Sequence, residues 1–221
     1  MKTVAVVPIK FNNRRLPGKN TKLLGGKPLL MYIQETLLKV KGLDGVYIYC
    51  SDEKVQDYLI EGVRFQKRPD WLDGDDINAN DIFVSFAEDV DADIYVIAHA
   101  TAPFIKPEHI EEGIRAVKSG EYDSAFAAEK MQDFFWIDGK PFNYNPDHTP
   151  RTQDVSPVYK ETFGFFVYTK SVVKEHHRRI GYHPLLVEAE GFETVDIDDA
   201  DDFAMAEVVL QMMKQNMGGG K

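Results

Sequence analysis

Short β-rich apolar runs alternate with helix-patterned segments along almost the whole chain, and this alternation restricts the fold more than any other feature. Thr3 to Val7 is apolar at consecutive positions, which fits a central parallel strand covered on both faces. A helix is expected from Leu29 to Lys41, because Leu30, Ile33, Leu37 and Val40 recur at helical spacing behind Pro28. Further strands are expected at Val46–Cys50, Val63–Phe65, Ile94–Ala98, Ser124–Ala128, Thr162–Tyr168 and Thr194–Ile197. Helices are expected at Asn80–Glu88, Pro107–Lys118, Lys170–His177 and from Phe203 to about Gln215. Such an order predicts an α/β fold with a mostly parallel central sheet and right-handed crossovers.

The rhythm breaks between Met131 and Tyr159. There FFWIDGKPF reads as a hairpin turning at Asp138-Gly139, with aromatic and polar residues mixed around it. We read residues 1–221 as one domain and residues 131–159 as an inserted arm whose aromatics suit a homodimer interface, a satellite core being the alternative. With 43% hydrophobic residues in 221, the chain can bury one substantial core.

Charge and cysteine content exclude several classes. Twenty-six basic against 36 acidic side chains give a formal charge of -10, which disfavours nonspecific binding to nucleic acid or anionic membrane while leaving room for a local basic pocket. Cys50 is the only cysteine, so neither an intrachain disulfide nor a four-thiolate zinc site can form, and a cytoplasmic location is expected. The apolar segment VAVVPI is far shorter than a membrane span and reads as no export signal. The tail NMGGGK reads as a frayed helix end.

The loop after the first strand carries Lys10, Arg14, Arg15 and Lys19 among Asn12, Asn13, Gly18 and Asn20. Cations neutralise a polyphosphate while glycine and loop amides let its oxygens approach closely, so the loop is either an anion site or a solvated basic turn. Neither a Walker A sequence nor a GxGxxG fingerprint is present. Asp196 and Asp198, alternating on an expected strand, share a side and could meet one hard cation such as magnesium. Asp199, Asp201 and Asp202 suit a helix amino terminus, and Glu207 suits solvent.

The segment VPIKFNNRRLPGKN, from Val7 to Asn20, resembles the signature of the acylneuraminate and related sugar-acid cytidylyltransferases. SDE at Ser51–Glu53, KRP at Lys67–Pro69, ATAP at Ala100–Pro103, PRTQD at Pro150–Asp154 and VDIDDADD at Val195–Asp202 follow in the family's order. The resemblance implies a Rossmann-like nucleotidyltransferase with a dimerisation arm that uses CTP and Mg2+ on an anionic small-molecule acceptor. Arg14 and Lys19 would bind the triphosphate and stabilise departing pyrophosphate. Lys10 stands where the family usually has arginine, keeping the charge without the rigid donor fork, and Asn13 replaces a serine.

Under the same resemblance Asn20 belongs to the loop signature. Ser51, Asp52, Lys67, Arg68 and Asn80 flank the nucleotide; Ser51 equally suits a helix cap, and Lys67 equally suits solvent. His99, in HATAPF, occupies a glutamine-like position near the acceptor, as a donor, a base or a satisfied buried histidine. Arg151 and Gln153 would return to the acceptor pocket, the arginine meeting a carboxylate bidentately. Asp196 and Asp198 would hold the metal. ETFGFFVY, with Phe163 in place of a smaller residue and Gly164 retained, departs from the neuraminate pattern. Rival readings are cytidylyl transfer to a phosphonate or phosphorylated small alcohol, and a non-catalytic nucleotide-binding protein.

Overall fold

The computed structural model describes residues 1–74 and 76–218. Seven strands form one sheet: β1 (Thr3–Ile9), β2 (Gly45–Cys50), β3 (Val63–Lys67), β4 (Ile94–Ala98), β5 (Ser124–Met131), β6 (Val158–Thr169) and β7 (Pro184–Glu188). Their spatial order is β7-β5-β6-β4-β1-β2-β3. β1 runs parallel to both β2 and β4, with Val7 opposite Ile48 and Val6 opposite Ile97. Only β6 is reversed, pairing antiparallel with β4 and β5.

Among the described residues four helices, α1 (Leu29–Lys39), α2 (Ala79–Asp89), α3 (Pro107–Ser119) and α4 (Lys170–Lys174), cover this sheet, and a fifth, α5 (Ala200–Gly218), packs beside it. On one face Ala5, Val7 and Ile9 of β1 pack with Leu30, Ile33 and Leu37 of α1 and with Ile110, Ile114 and Val117 of α3. Val4 and Val6 of the same strand point the other way, into a core with Phe83 and Phe86 of α2 and Val172 and Val173 of α4. The run of apolar residues in β1 is thus explained by burial on both faces. Each buried valine or isoleucine side chain contributes about 1.5–3 kcal/mol of transfer free energy.

A third cluster joins the chain's two ends. Phe203, Ala206 and Val209 of α5 pack with Leu24, Leu29, Phe104 and Ile197, and Leu16 of the basic loop rests against them. Asp199 and Asp202 cap α5 reciprocally: the Asp201 and Asp202 amides donate to Asp199, and the Asp198 and Asp199 amides donate to Asp202, at 2.9–3.1 Å. This bears out the helix-terminus reading of these acids, and Glu207 is exposed.

Three expectations are corrected. Thr194–Ile197 is not a strand: a short 3-10 turn at Gly191–Thr194 leads into extended chain outside any ladder, fixed by the Ile197 amide donating to the Thr101 carbonyl at 2.9 Å. The helix expected to reach His177 stops at Lys174, and His177 adopts a positive φ of 51°. An edge strand, β7, forms where none was expected. The arm's hairpin is as expected, Trp136–Ile137 pairing with Lys140–Pro141 around Asp138 and Gly139 at φ 49° and 72°, values that suit an Asp-Gly turn. Trp136, Ile137 and Phe142 are exposed on it. Among the described residues no helix is long and apolar enough to cross a membrane.

Candidate active site

The strand order turns at β1 and β4, since β2 and β3 extend to one side of β1 and the rest of the sheet to the other. In open α/β sheets the crevice beyond the carboxyl ends of such a pair is where ligands bind. The loop Lys10–Asn20 leaves β1 there, and His99 leaves β4 there.

The loop is a built object. Asn20 is buried and donates through Nδ2 to the Lys10 carbonyl at 2.8 Å and to Asn13 Oδ1 at 3.4 Å, lacing the loop across its neck. The structure therefore gives Asn20 and Asn13 a positioning task. Gly18 stands at φ 68°, the left-handed turn that starts the 3-10 segment Lys19–Thr21. That turn sends Lys19 inward, where it is only 7% exposed. Its Nζ donates to the Ile197 carbonyl at 2.8 Å and lies 3.5 Å from Asp198 Oδ1. Arg15 closes on the same carboxylate with both terminal nitrogens, at 2.8 and 2.7 Å. Lys10, Asn13, Arg14, Arg15, Lys19 and Asp198 together line a cavity of about 280 Å³.

Asp196 sits beside this group with a different environment. Its Oδ1 is buried and has no hydrogen-bond partner among the described residues. Burial raises its carboxyl above the usual range, a hydrogen bond with Thr101 partly offsets this, and the neighbouring Asp198 adds to the rise. The two carboxylates feel one another's charge although the segment carrying them is not a strand, but Asp198 lines the loop cavity and Asp196 a separate one beside Thr194 and Asp202. No group of three or more His, Cys, Asp or Glu suited to a metal occurs among the described residues. A cation held here would take two carboxylates and complete its shell from phosphate and water, as magnesium does.

At β2 and β3 the candidate residues hold one another. Asp52, not Ser51, caps the 3-10 turn Glu53–Tyr58, accepting from the Lys54 amide at 2.9 Å. Lys67 Nζ donates to the Ser51 carbonyl. Arg68 is fully buried and pairs with Asp73, and among the described residues its Nε has no partner. Asn80, in the first turn of α2, lines two further cavities of about 390 and 340 Å³.

His99 Nδ1 lies 3.0 Å from the Phe163 carbonyl. A carbonyl only accepts, so Nδ1 carries the proton and Nε2 a lone pair. Burial pushes the imidazole down to about 4, outweighing the hydrogen bond to Phe163, and the charges of Arg179 and Lys19 lower it further. The ring stands edge-on to Phe163 and Phe166, with centroids 5.7 and 6.1 Å away. A neutral imidazole of such low basicity is a poor general base near neutrality.

Arg151 and Gln153 are not drawn into this group. Arg151 is exposed on the arm and binds its own neighbour Asp154, Nε to Oδ2 at 2.7 Å, while the Gln153 carbonyl accepts from Gln132 at 2.8 Å. Sequence reasoning passed over Thr101, Arg15 as the partner of Asp198, and the pair Arg179–Glu161 beside Phe163. The only available signal for the last was the basic doublet Arg178-Arg179 between α4 and β7.

A parallel-sheet crevice walled by a cationic loop, with the Asp198 carboxylate in its wall, fits the nucleotidyltransferase class of α/β proteins. The chain belongs to the cytidylyltransferase family, whose model matches residues 4–166. It is 24% identical over 216 residues to an N-acylneuraminate cytidylyltransferase of Oncorhynchus mykiss, covering 92% of this chain and 49% of that one. It thus spans about half the length of that relative. It is likewise 24% identical to an 8-amino-3,8-dideoxy-manno-octulosonate cytidylyltransferase of Shewanella frigidimarina, over 95% of this chain and 99% of that protein. A solved CMP:2-keto-3-deoxy-manno-octonic acid synthetase, complexed with CTP, superposes with a TM-score of 0.73 at 18% identity, covering 96% of this chain and 100% of the other. At that identity the likeness is one of fold.

Proposed function

We propose that the chain transfers CMP from CTP to an acidic sugar and releases pyrophosphate, with magnesium, in the cytosol. The observation that carries this reading is the buried Lys19 beside Asp198, at the head of a cavity into which Lys10, Arg14 and Arg15 also face. A solvated basic turn would not bury a lysine in this way. The names of the similar proteins, which describe cytidylyl transfer to sugar acids, point to the same acceptor class.

In this reading Lys19 and Arg14 hold the triphosphate oxygens, and the loop's cations offset charge that builds on the leaving group. The acceptor hydroxyl oxygen bonds to the α-phosphorus in line as the α–β anhydride bond breaks. Pyrophosphate departs with that bond's electron pair, and the hydroxyl proton passes to solvent rather than to His99. Asp196 and Asp198 would hold magnesium, which when bound supplies Lewis acidity toward phosphate oxygens. The partnerless buried Oδ1 of Asp196 fits that role. The arm over residues 131–159 forms a homodimer contact through Trp136, Ile137 and Phe142, and a mass that stays monomeric at all concentrations would reject that contact.

The deciding experiment is pyrophosphate release with CTP, UTP, ATP and GTP in turn, each with magnesium and a panel of sugar acids and phosphorylated alcohols. Release confined to CTP and sugar acids is expected. Release with phosphorylated alcohols alone would favour the rival acceptor, and none with any pair would reject catalysis.

A further inference from the structure

A second cationic cavity stands apart from the basic loop. It measures about 340 Å³ and is lined by Asn78, Ala79, Asn80, Arg178, Arg179 and Ile180, sharing no residue with the cavity around Lys19. Among the described residues its walls contain two guanidinium groups and no carboxylate, in a chain whose acidic side chains outnumber its basic ones. The neighbouring cavity that shares Asn78 and Asn80 is walled by Asp81 and Glu88, so the positive character belongs to the arginine side alone.

The two arginines are held differently. Arg179 is half-buried, pairs with Glu161, and stacks over Phe166 and Phe163 at 4.5 and 5.4 Å from the ring centres. Those contacts fix its plane. Arg178 lies over the Tyr182 ring at 4.7 Å, and among the described residues no carboxylate comes within ion-pair distance of it. One guanidinium is therefore pre-oriented and the other retains its charge, which suits bidentate capture of a planar or tetrahedral oxyanion. Phe163 and Phe166 join this cavity to the reacting region: the same rings flank His99, and His99 feels the charges of both Lys19 and Arg179.

We propose that the Arg178–Arg179 cavity is the subsite that reads a negatively charged group of the acceptor, carboxylate or phosphate, and so sets acceptor specificity. This rests on the transfer reading above and replaces Arg151, which is engaged by Asp154, as the acceptor's anion partner. Asn78 and Asn80 face the same space and would hydrogen-bond hydroxyls beside that group.

The test is calorimetric binding, which needs no turnover. 3-Deoxy-manno-octulosonate and N-acetylneuraminate are titrated beside their neutral methyl esters, and a sugar phosphate beside its neutral sugar, with CTP as a reference ligand. At least one anion should bind wild type roughly tenfold more tightly than its neutral counterpart; Arg178→Ala alone and together with Arg179→Gln should remove that margin while CTP affinity changes by less than about twofold. Whether the margin belongs to the acids or to the phosphate identifies the group that is read. Arg178 is exposed, so Arg178→Ala should fold even if loss of the Glu161 partner unsettles the double variant. Equal binding of charged and neutral forms, no binding of any anion, or a margin kept in Arg178→Ala and in the double variant would overturn the subsite. Arginine-dependent anion binding without pyrophosphate release would instead reject the transfer reading and leave the subsite standing.

Discussion

Arg15 and Asp198 are 183 residues apart in sequence, and the arginine's two terminal nitrogens meet both oxygens of the aspartate at 2.8 and 2.7 Å. The guanidinium occupies the carboxylate that the proposed reaction needs for a cation. Arg15 is mostly exposed, 69% for its side chain, so the pair itself adds only about 0–1 kcal/mol to stability. Arg15→Ala should therefore leave the unfolding midpoint nearly unchanged, lower the magnesium concentration for half-maximal rate, and raise KM for CTP. A magnesium requirement that does not move would show that Arg15 does not compete for Asp198.

Lys19 has an interior post. Lys19→Met keeps the aliphatic stem but leaves the buried Ile197 carbonyl without its donor, at a cost of about 1–3 kcal/mol. Turnover should fall by at least roughly tenfold because triphosphate charge is no longer offset. Urea unfolding and initial rates measured on the same protein separate the two losses. Wild-type turnover at subsaturating CTP would remove Lys19 from the site.

Asp196 predicts an exchange of stability for function. Its folded-state carboxyl is raised by burial, so its contribution to stability is present at low pH and lost as pH rises through the folded value. At neutral pH the charge is a liability in metal-free protein. Asp196→Asn should raise Tm in chelator, and magnesium with CTP should raise Tm of wild type much more than of the variant. Asp198→Asn should also lose the magnesium response, but with a lower Tm, because Arg15 and Lys19 lose their partner. Equal magnesium-induced shifts in wild type and both variants would reject the metal assignment.

His99 gives the opposite pH signature. Its folded value is about 4, below the 6.5 of a free imidazole, so its contribution is fully present above about 6.5 and is lost as pH falls toward 4. His99→Gln removes this titration. Wild-type Tm minus variant Tm, measured across that window, should decline with acidification; a constant difference would show that His99 does not titrate as its burial requires.

The parallel core was legible because burial on two faces leaves a plain mark: Val4 to Val7 carry no polar residue, and the first apolar face of α1 repeats at helical spacing. The basic loop was legible for a chemical reason, four cations in a short turn after a strand. Thr194–Ile197 was misread because Val195 and Ile197 alternate with polar residues as an edge strand would, while the groups that hold Ile197, the Thr101 carbonyl and the Lys19 ammonium, are tertiary contacts. β7 escaped notice since Leu186 and the ends of PLLVE stay partly or largely exposed. Burial of Lys19 could not be read locally either, since its partner Ile197 comes from the far end of the chain. The arginine cavity depends on α2, β6 and the turn before β7 meeting in space, which no spacing rule encodes.

The joining of Lys19 to Ile197 and Asp198 has a consequence for synthesis on the ribosome. β1, its loop and the β4 partner are translated early and can begin to pair while the nascent chain is still growing. The carbonyl and carboxylate that receive the Lys19 ammonium emerge only when translation has passed residue 198. Until then the loop's cations have no counter-charge from that segment, and a chain released early would carry the cationic turn without the two aspartates. Competence for the proposed chemistry therefore waits until the segment through Asp198 has been made and has docked against the loop.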